Sequence, residues 1–140
     1  MPYEAEPGQG APEPQRLAFL ANREVRHTVI RIITAHLRDG AAVSWQHLDL
    51  DFTGVVFDGG DFSFARFSGF IDFSYAQFSG GEVSFDMAKF SDGTFLFRHA
   101  QFSGSEVHFT NLEFDGATVG FNAAEFSGGT IKFIGTLFIQ

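Results

Sequence analysis

The chain of 140 residues has no cysteine, so it can form neither a disulfide framework nor a cysteine-ligated zinc site. That absence fits a reducing compartment, and the cytoplasm is the expected location. Its four prolines stand at positions 2, 7, 12 and 14. Everything after them is free of the residue that removes a backbone donor, as a stack needing every N–H should be. No apolar run approaches the roughly 18 residues a bilayer-spanning helix requires. The first residues lack the basic and apolar regions of a secretory signal. Basic residues are scarce after position 48: residues 49–140 carry twelve acids against four bases, whereas residues 1–48 carry five of each. The whole net charge of −8 therefore falls on the longer segment. Without a basic patch there, direct nucleic-acid binding is disfavoured. No glycine-rich phosphate loop is present, and no nucleophile–base or paired-carboxylate arrangement can be placed convergently. Neither an enzyme nor a cofactor is expected.

What is abundant is phenylalanine, with 20 copies. One series occupies positions 73, 85, 97, 109, 121 and 133, and a second follows at 78, 90, 102, 114, 126 and 138. A fixed period of twelve means one supersecondary unit stacked on itself. The unit reads F-x-x-A-x-F-S-G-G-x-V-x, clearest from Phe73, Phe85 and Phe97. Residues two apart on a strand point the same way. Ala76 therefore points with Phe78, and Val83 with Phe85. The residues between, such as Gln77, Ser84, Lys89 and His108, are polar and point outward. Glycines two places past the second Phe, at 80, 104, 116 and 128, read as corners needing positive φ.

The small-x-Phe-Ser-Gly frame, repeated in register over roughly residues 43 to 140, resembles the pentapeptide repeat family in its Phe-rich form. The resemblance implies an all-β solenoid, a right-handed quadrilateral β-helix of about four coils; an N-terminal α-helix, read from its own apolar stripe, is expected to cap it. Two-residue insertions depart from the family's strict frame, but two units of twelve still close one coil. Four columns follow: Phe52, Phe73, Phe97 and Phe121; Phe57, Phe78, Phe102 and Phe126; Phe62, Phe85, Phe109 and Phe133; Phe67, Phe90, Phe114 and Phe138. A twelve-residue coil is excluded, because so narrow a lumen could not hold two Phe rings per turn. Four coils at a strand spacing near 4.8 Å give a rod about 19 Å long.

The chain divides into a leader over 1–14, an amphipathic helix over 15–40 and the solenoid over 41–140. The leader, rich in Pro, Glu and Gly, reads as disordered. In the helix, Val25, Val29, Ile32, Ile33 and Leu37 share one stripe, and Arg23, His27, Arg31 and Arg38 take the other side. With Trp45, which opens the first incomplete coil, the stripe is expected to cap the solenoid's N-terminal end. A basic helix face also permits a membrane-surface role.

Several motifs invite functional readings. Asp49, Asp51 and Thr53 imitate the start of a calcium loop, but Gly60 stands where its closing Glu would be. With Asp58, Asp61 and Asp72 they are read instead as an acidic solvated rim. His99 and His108 lie on different frames without ligand spacing, so no metal site is expected. Ser79, Ser91, Ser103 and Ser127 recur at corners and read as turn residues. In the last unit Ile134, Leu137 and Ile139 replace polar positions beside Phe138, an apolar end suited to pairing. The reading is a non-enzymatic scaffold that binds an unidentified protein or a second copy of itself through this coil. The family resemblance adds one alternative, an acidic DNA-mimicking regulator of a topoisomerase, as in the quinolone-protection branch. The acids cluster early and the rod is short, which argues against it.

Overall fold

The computed structural model describes residues 6–135 and the backbone of 137–139. One helix, α1 (Glu13–Leu37), precedes sixteen short strands. The first coil holds β1 (Leu50–Asp51), β2 (Val56–Phe57), β3 (Gly60–Asp61) and β4 (Arg66–Phe67). The second holds β5 (Phe70–Asp72), β6 (Gln77–Phe78), β7 (Glu82–Ser84) and β8 (Lys89–Ser91). The third holds β9 (Thr94–Leu96), β10 (Gln101–Phe102), β11 (Glu106–Thr110) and β12 (Glu113–Asp115). The fourth holds β13 (Thr118–Gly120), β14 (Glu125–Phe126), β15 (Thr130–Ile134) and β16 (Leu137–Ile139).

Each strand pairs in parallel with the strand one coil away, making four sheets of four strands, one per side. The protein is thus a four-sided parallel β-solenoid of about four coils with an N-terminal helix. The register sets Gln77 against Gln101 and Glu125, and Val83 against Val107 and Ile131. The two-unit coil expected from the period is the coil observed.

The core is the phenylalanine columns. Rings stack nearly parallel down each one: Phe73 on Phe97 at 5.1 Å, Phe78 on Phe102 at 4.7 Å, Phe85 on Phe109 at 5.2 Å and Phe67 on Phe90 at 5.0 Å. That spacing is the strand repeat itself, so backbone pairing and ring stacking enforce one register. Neighbouring columns meet edge to face, as Phe73 meets Phe85 at 5.8 Å. Phe95 is a buried ring outside the four columns; it sits where other units carry Val83 or Val107 and meets Phe97 edge-on at 4.8 Å. Ala65, Ala76, Ala88 and Ala100 are fully buried beside the corners, where only a small side chain fits between columns.

Of the corner glycines, Gly116 has the expected positive φ, 71°, whereas Gly80, Gly104 and Gly128 do not. Positive φ recurs two residues after the first Phe of each unit, at Phe64, Tyr75, Met87, His99, Asn111 and Ala123, all between 53° and 62°. Each completes a tight turn, as in the bond from the Ala76 amide to the Phe73 carbonyl at 3.1 Å. Gly104 is required for space instead: a Cβ there would lie 2.3 Å from the Ser79 carbonyl oxygen of the coil above. Corner glycines let consecutive coils approach to backbone contact.

Helix α1 begins before the expected boundary, because proline is tolerated in a helix's first turn, and Pro14 lies inside it. It ends at Leu37, where Arg38 turns extended, ahead of Gly40 at φ 85°. Its roll also differs from the apolar stripe. Phe19, Ile30, Thr34 and Leu37 are buried and Ile33 packs on the core, but Val25, Val29 and Ile32 are about half exposed, at 51%, 49% and 52%. Polar anchors set this roll. Arg26 binds Asp58, the Thr34 hydroxyl donates to the Asp61 carbonyl at 2.9 Å, and the Arg38 Nε donates to the Ser63 carbonyl at 2.9 Å. Trp45 packs on the core as expected of a cap residue, stacked on His36 at 3.8 Å.

Candidate functional site

The N-terminal rim is held by an ionic clamp. Asp58 follows β2 and is buried, 7% exposed. Arg26 Nη2 reaches its Oδ2 at 2.5 Å, Arg23 Nε reaches the same oxygen at 3.4 Å, and His27 Nε2 lies 3.4 Å from Oδ1. Burial raises the Asp58 carboxyl, but the hydrogen bond and charge of Arg26, with His27 and Arg23 behind it, outweigh burial and hold it below the ordinary aspartate value. Arg23 lies over the buried Phe19 ring at 4.7 Å, so the clamp is sealed on its helix side by an aromatic face.

Of the acidic rim, Asp49, Asp51 and Asp61 are exposed and Asp72 is half-buried, and only Asp58 departs from a solvated position. Asp58 is the buried centre of the clamp. Asp61 lies 3.6 Å from Arg38. Asp49 Oδ1 accepts the Phe70 amide, Asp51 Oδ1 the Thr53 amide and Asp72 Oδ1 the Ser74 amide, each within 2.9 Å. These carboxylates close turns and seat the cap, because short acidic side chains satisfy backbone amides that corners leave unpaired. Single-chain pattern reading saw their sign but not their partners.

A groove runs between α1 and the sheet of β3, β7 and β11, lined by Arg23, His27, Arg31, Asp61, Glu82 and Asp86. Its arginines and Asp61 are paired within the fold. Arg23 pairs with Glu6 as well as Asp58, Arg31 with Glu24, and Asp61 with Arg38. Glu82 and Asp86 flank His108 at 3.8 and 3.9 Å, and His108 Nε2 lies 2.9 Å from Glu106. Lys132 closes the network on Glu106 at 2.8 Å. Among the described residues no group of three His, Cys, Asp or Glu side chains is placed to hold a metal ion. His99 stacks on Tyr75 at 4.9 Å along a corner. Ser79, Ser103 and Ser127 sit at corners as read from sequence, whereas Ser91 ends strand β8. Ser105, which sequence reading passed over, is buried and donates its hydroxyl to the Gly80 carbonyl at 2.7 Å.

At the other end the columns stop with one face open. Phe121 stacks on Phe97, Phe126 on Phe102 and Phe133 on Phe109, at 4.9, 4.9 and 4.7 Å. Their counterparts one coil earlier are buried, yet Phe126 is 60% and Phe133 54% exposed. Ile134 stands beside them, also exposed. The side chains of Leu137, Phe138 and Ile139 lie outside the described residues. The sequence pointed to this coil through its apolar substitutions; the exposed ring faces of Phe126 and Phe133 add to it, since their column positions looked like core. No described helix is long and apolar enough to cross a membrane. Set against protein-family models, curated proteins and solved structures, the chain finds no match.

Proposed function

We propose that this chain is a pentapeptide-repeat protein that acts without catalysis, as a scaffold whose last coil associates with the last coil of a second copy. The observation carrying this reading is the one-sided stacking of Phe126 and Phe133, exposed where the rings directly above are sealed. Exposed aromatic area in a contiguous patch marks an interaction surface. A second copy offers the same columns at the same spacing, so a two-fold contact would continue each stack across the junction. The parallel solenoid with its regular Phe ladder is consistent with the pentapeptide architecture and supports the family assignment.

Two other readings lose support. A DNA-mimicking face needs exposed, unpaired carboxylates, and of the five early aspartates Asp58 is buried against Arg26 and Asp61 lies beside Arg38. Membrane attachment through a basic helix face needs outward unpaired cations, and of that face Arg23 and Arg38 reach onto the solenoid while Arg31 pairs with Glu24. The test is solution mass by light scattering at two concentrations, for the native chain and for Phe133→Asp with Ile134→Asp. The proposal expects a dimer that the double change makes monomeric. A native chain that stays monomeric at both concentrations overturns it.

A further inference from the structure

Three coils carry the same frame on their second side: Ala76, Gln77 and Phe78; Ala100, Gln101 and Phe102; Ala124, Glu125 and Phe126. The first coil carries Val55, Val56 and Phe57 there. The outward polar residue has become valine, and so has the small inward one. The change falls at β2, the end strand of its sheet. The Gln77 amide donates to the Val55 carbonyl and the Ser79 amide to the Phe57 carbonyl, both at 2.9 Å. In a parallel ladder successive residues face opposite sides. Val56, lying between those acceptors, therefore turns its amide and carbonyl away from the second coil, toward the open rim. Across that rim runs α1 with Val25 and Val29 about half exposed, and a groove of about 520 Å³ lies between helix and strand.

Free strand edges are ordinarily blunted by charge, proline or a covering segment. Here the sequence does the reverse, and places four valines around an open main-chain edge. Helix α1 packs over β3, and Gln46 covers the corner after β4 by accepting the Ser68 amide at 2.8 Å. With those segments standing on the rim, a flat second solenoid cannot stack there, whereas a single extended chain fits beside the helix. We propose that the β2 rim accepts one extended segment of a partner protein, bearing β-branched apolar side chains, as an added strand. Main-chain bonds to Val56 supply the pairing, and contact with Val25 and Val29 supplies the preference for apolar side chains. This site is separate from the last coil and does not depend on self-association.

The test uses a short labelled peptide alternating valine and threonine between terminal lysines, and the same peptide N-methylated at alternate amides. Binding is read by fluorescence polarisation and by the amide resonance of Val56. The key variant is Val55→Ala with Val56→Gln, which restores the frame of the other coils and so is expected to fold. The proposal expects binding to the native chain with a shifted Val56 amide, weakened at least about tenfold by the variant or by N-methylation. Three results would each overturn it: no binding, equal binding by the variant, or equal binding of the N-methylated peptide. A native dimer that the same variant abolishes would also overturn it, assigning the rim to a second copy.

Discussion

Asp58 shows how one side chain can position an element. Two arginines and a histidine converge on it from α1, and removing one member of a buried ionic group costs about 3–5 kcal/mol because its partners stay behind. Asp58→Asn is expected to lower stability by about 3 kcal/mol at neutral pH in urea unfolding. The acid dependence follows from the same contact. The folded carboxyl lies below its ordinary value, so its contribution is complete above about pH 4, the unfolded aspartate pKa, and is lost as pH falls through the lower folded value. The native chain should lose stability over that acid window, and Asp58→Asn should flatten that part of the profile. A second pair of substitutions separates space from conformation at corners. A Cβ on Gly104 would strike the Ser79 carbonyl at 2.3 Å, while one on Gly80 meets nothing within 4 Å. Gly104→Ala is expected to cost about 1–3 kcal/mol, and Gly80→Ala less than about 0.5 kcal/mol, by thermal unfolding. Both glycines occupy one motif position, so the sequence alone makes them equivalent.

Among the elements, the coils were legible and the helix only partly so. The coils follow from a period that fixes register, side and column together, because each inward ring stacks on its copy one coil away. Such stacking makes interior rings costlier to lose than terminal ones. Phe97 is buried with a ring on either side, at 5.1 and 4.9 Å, while Phe121 belongs to the last coil. Phe97→Ala is expected to cost about 3–5 kcal/mol and Phe121→Ala clearly less, read as the difference in urea midpoints. For the helix, the apolar period located the element and its end near Gly40 but chose the wrong roll. Val25, Val29 and Ile32 form the better stripe on paper. The ionic attraction between Arg26 and Asp58, residues 32 apart, turns Arg26 toward the solenoid and leaves Val25 and Val29 half exposed. Periodicity registers apolar burial and is blind to a buried charge pair formed over that distance. The same blindness hid what the five aspartates bind, and that Asp58 alone of them is buried. Their roles depend on backbone amides at corners whose geometry the motif does not encode.

At the scale of the whole molecule, the two ends of the solenoid are finished unlike one another. At the N-terminal end α1 packs over β3 and Trp45 packs on the core, with Leu37 fully buried, and β2 lies beside an open groove. The C-terminal end presents Phe126, Phe133 and Ile134 to solvent. On the proposed self-association, pairing at the last coil gives a dimer and not a filament, since a filament needs complementary surfaces at both ends and α1 stands on the first coil. The absence of cysteine allows single labels to test this arrangement without background. The most direct measurement is the distance between nitroxide labels in the self-associated protein, with one label per chain at Ser127→Cys on the last coil or at Ala42→Cys near the cap. The account predicts a short intermolecular distance from position 127 and a distance longer by roughly two rod lengths, about 40 Å, from position 42. A short distance from position 42, or no intermolecular coupling from position 127, would contradict it.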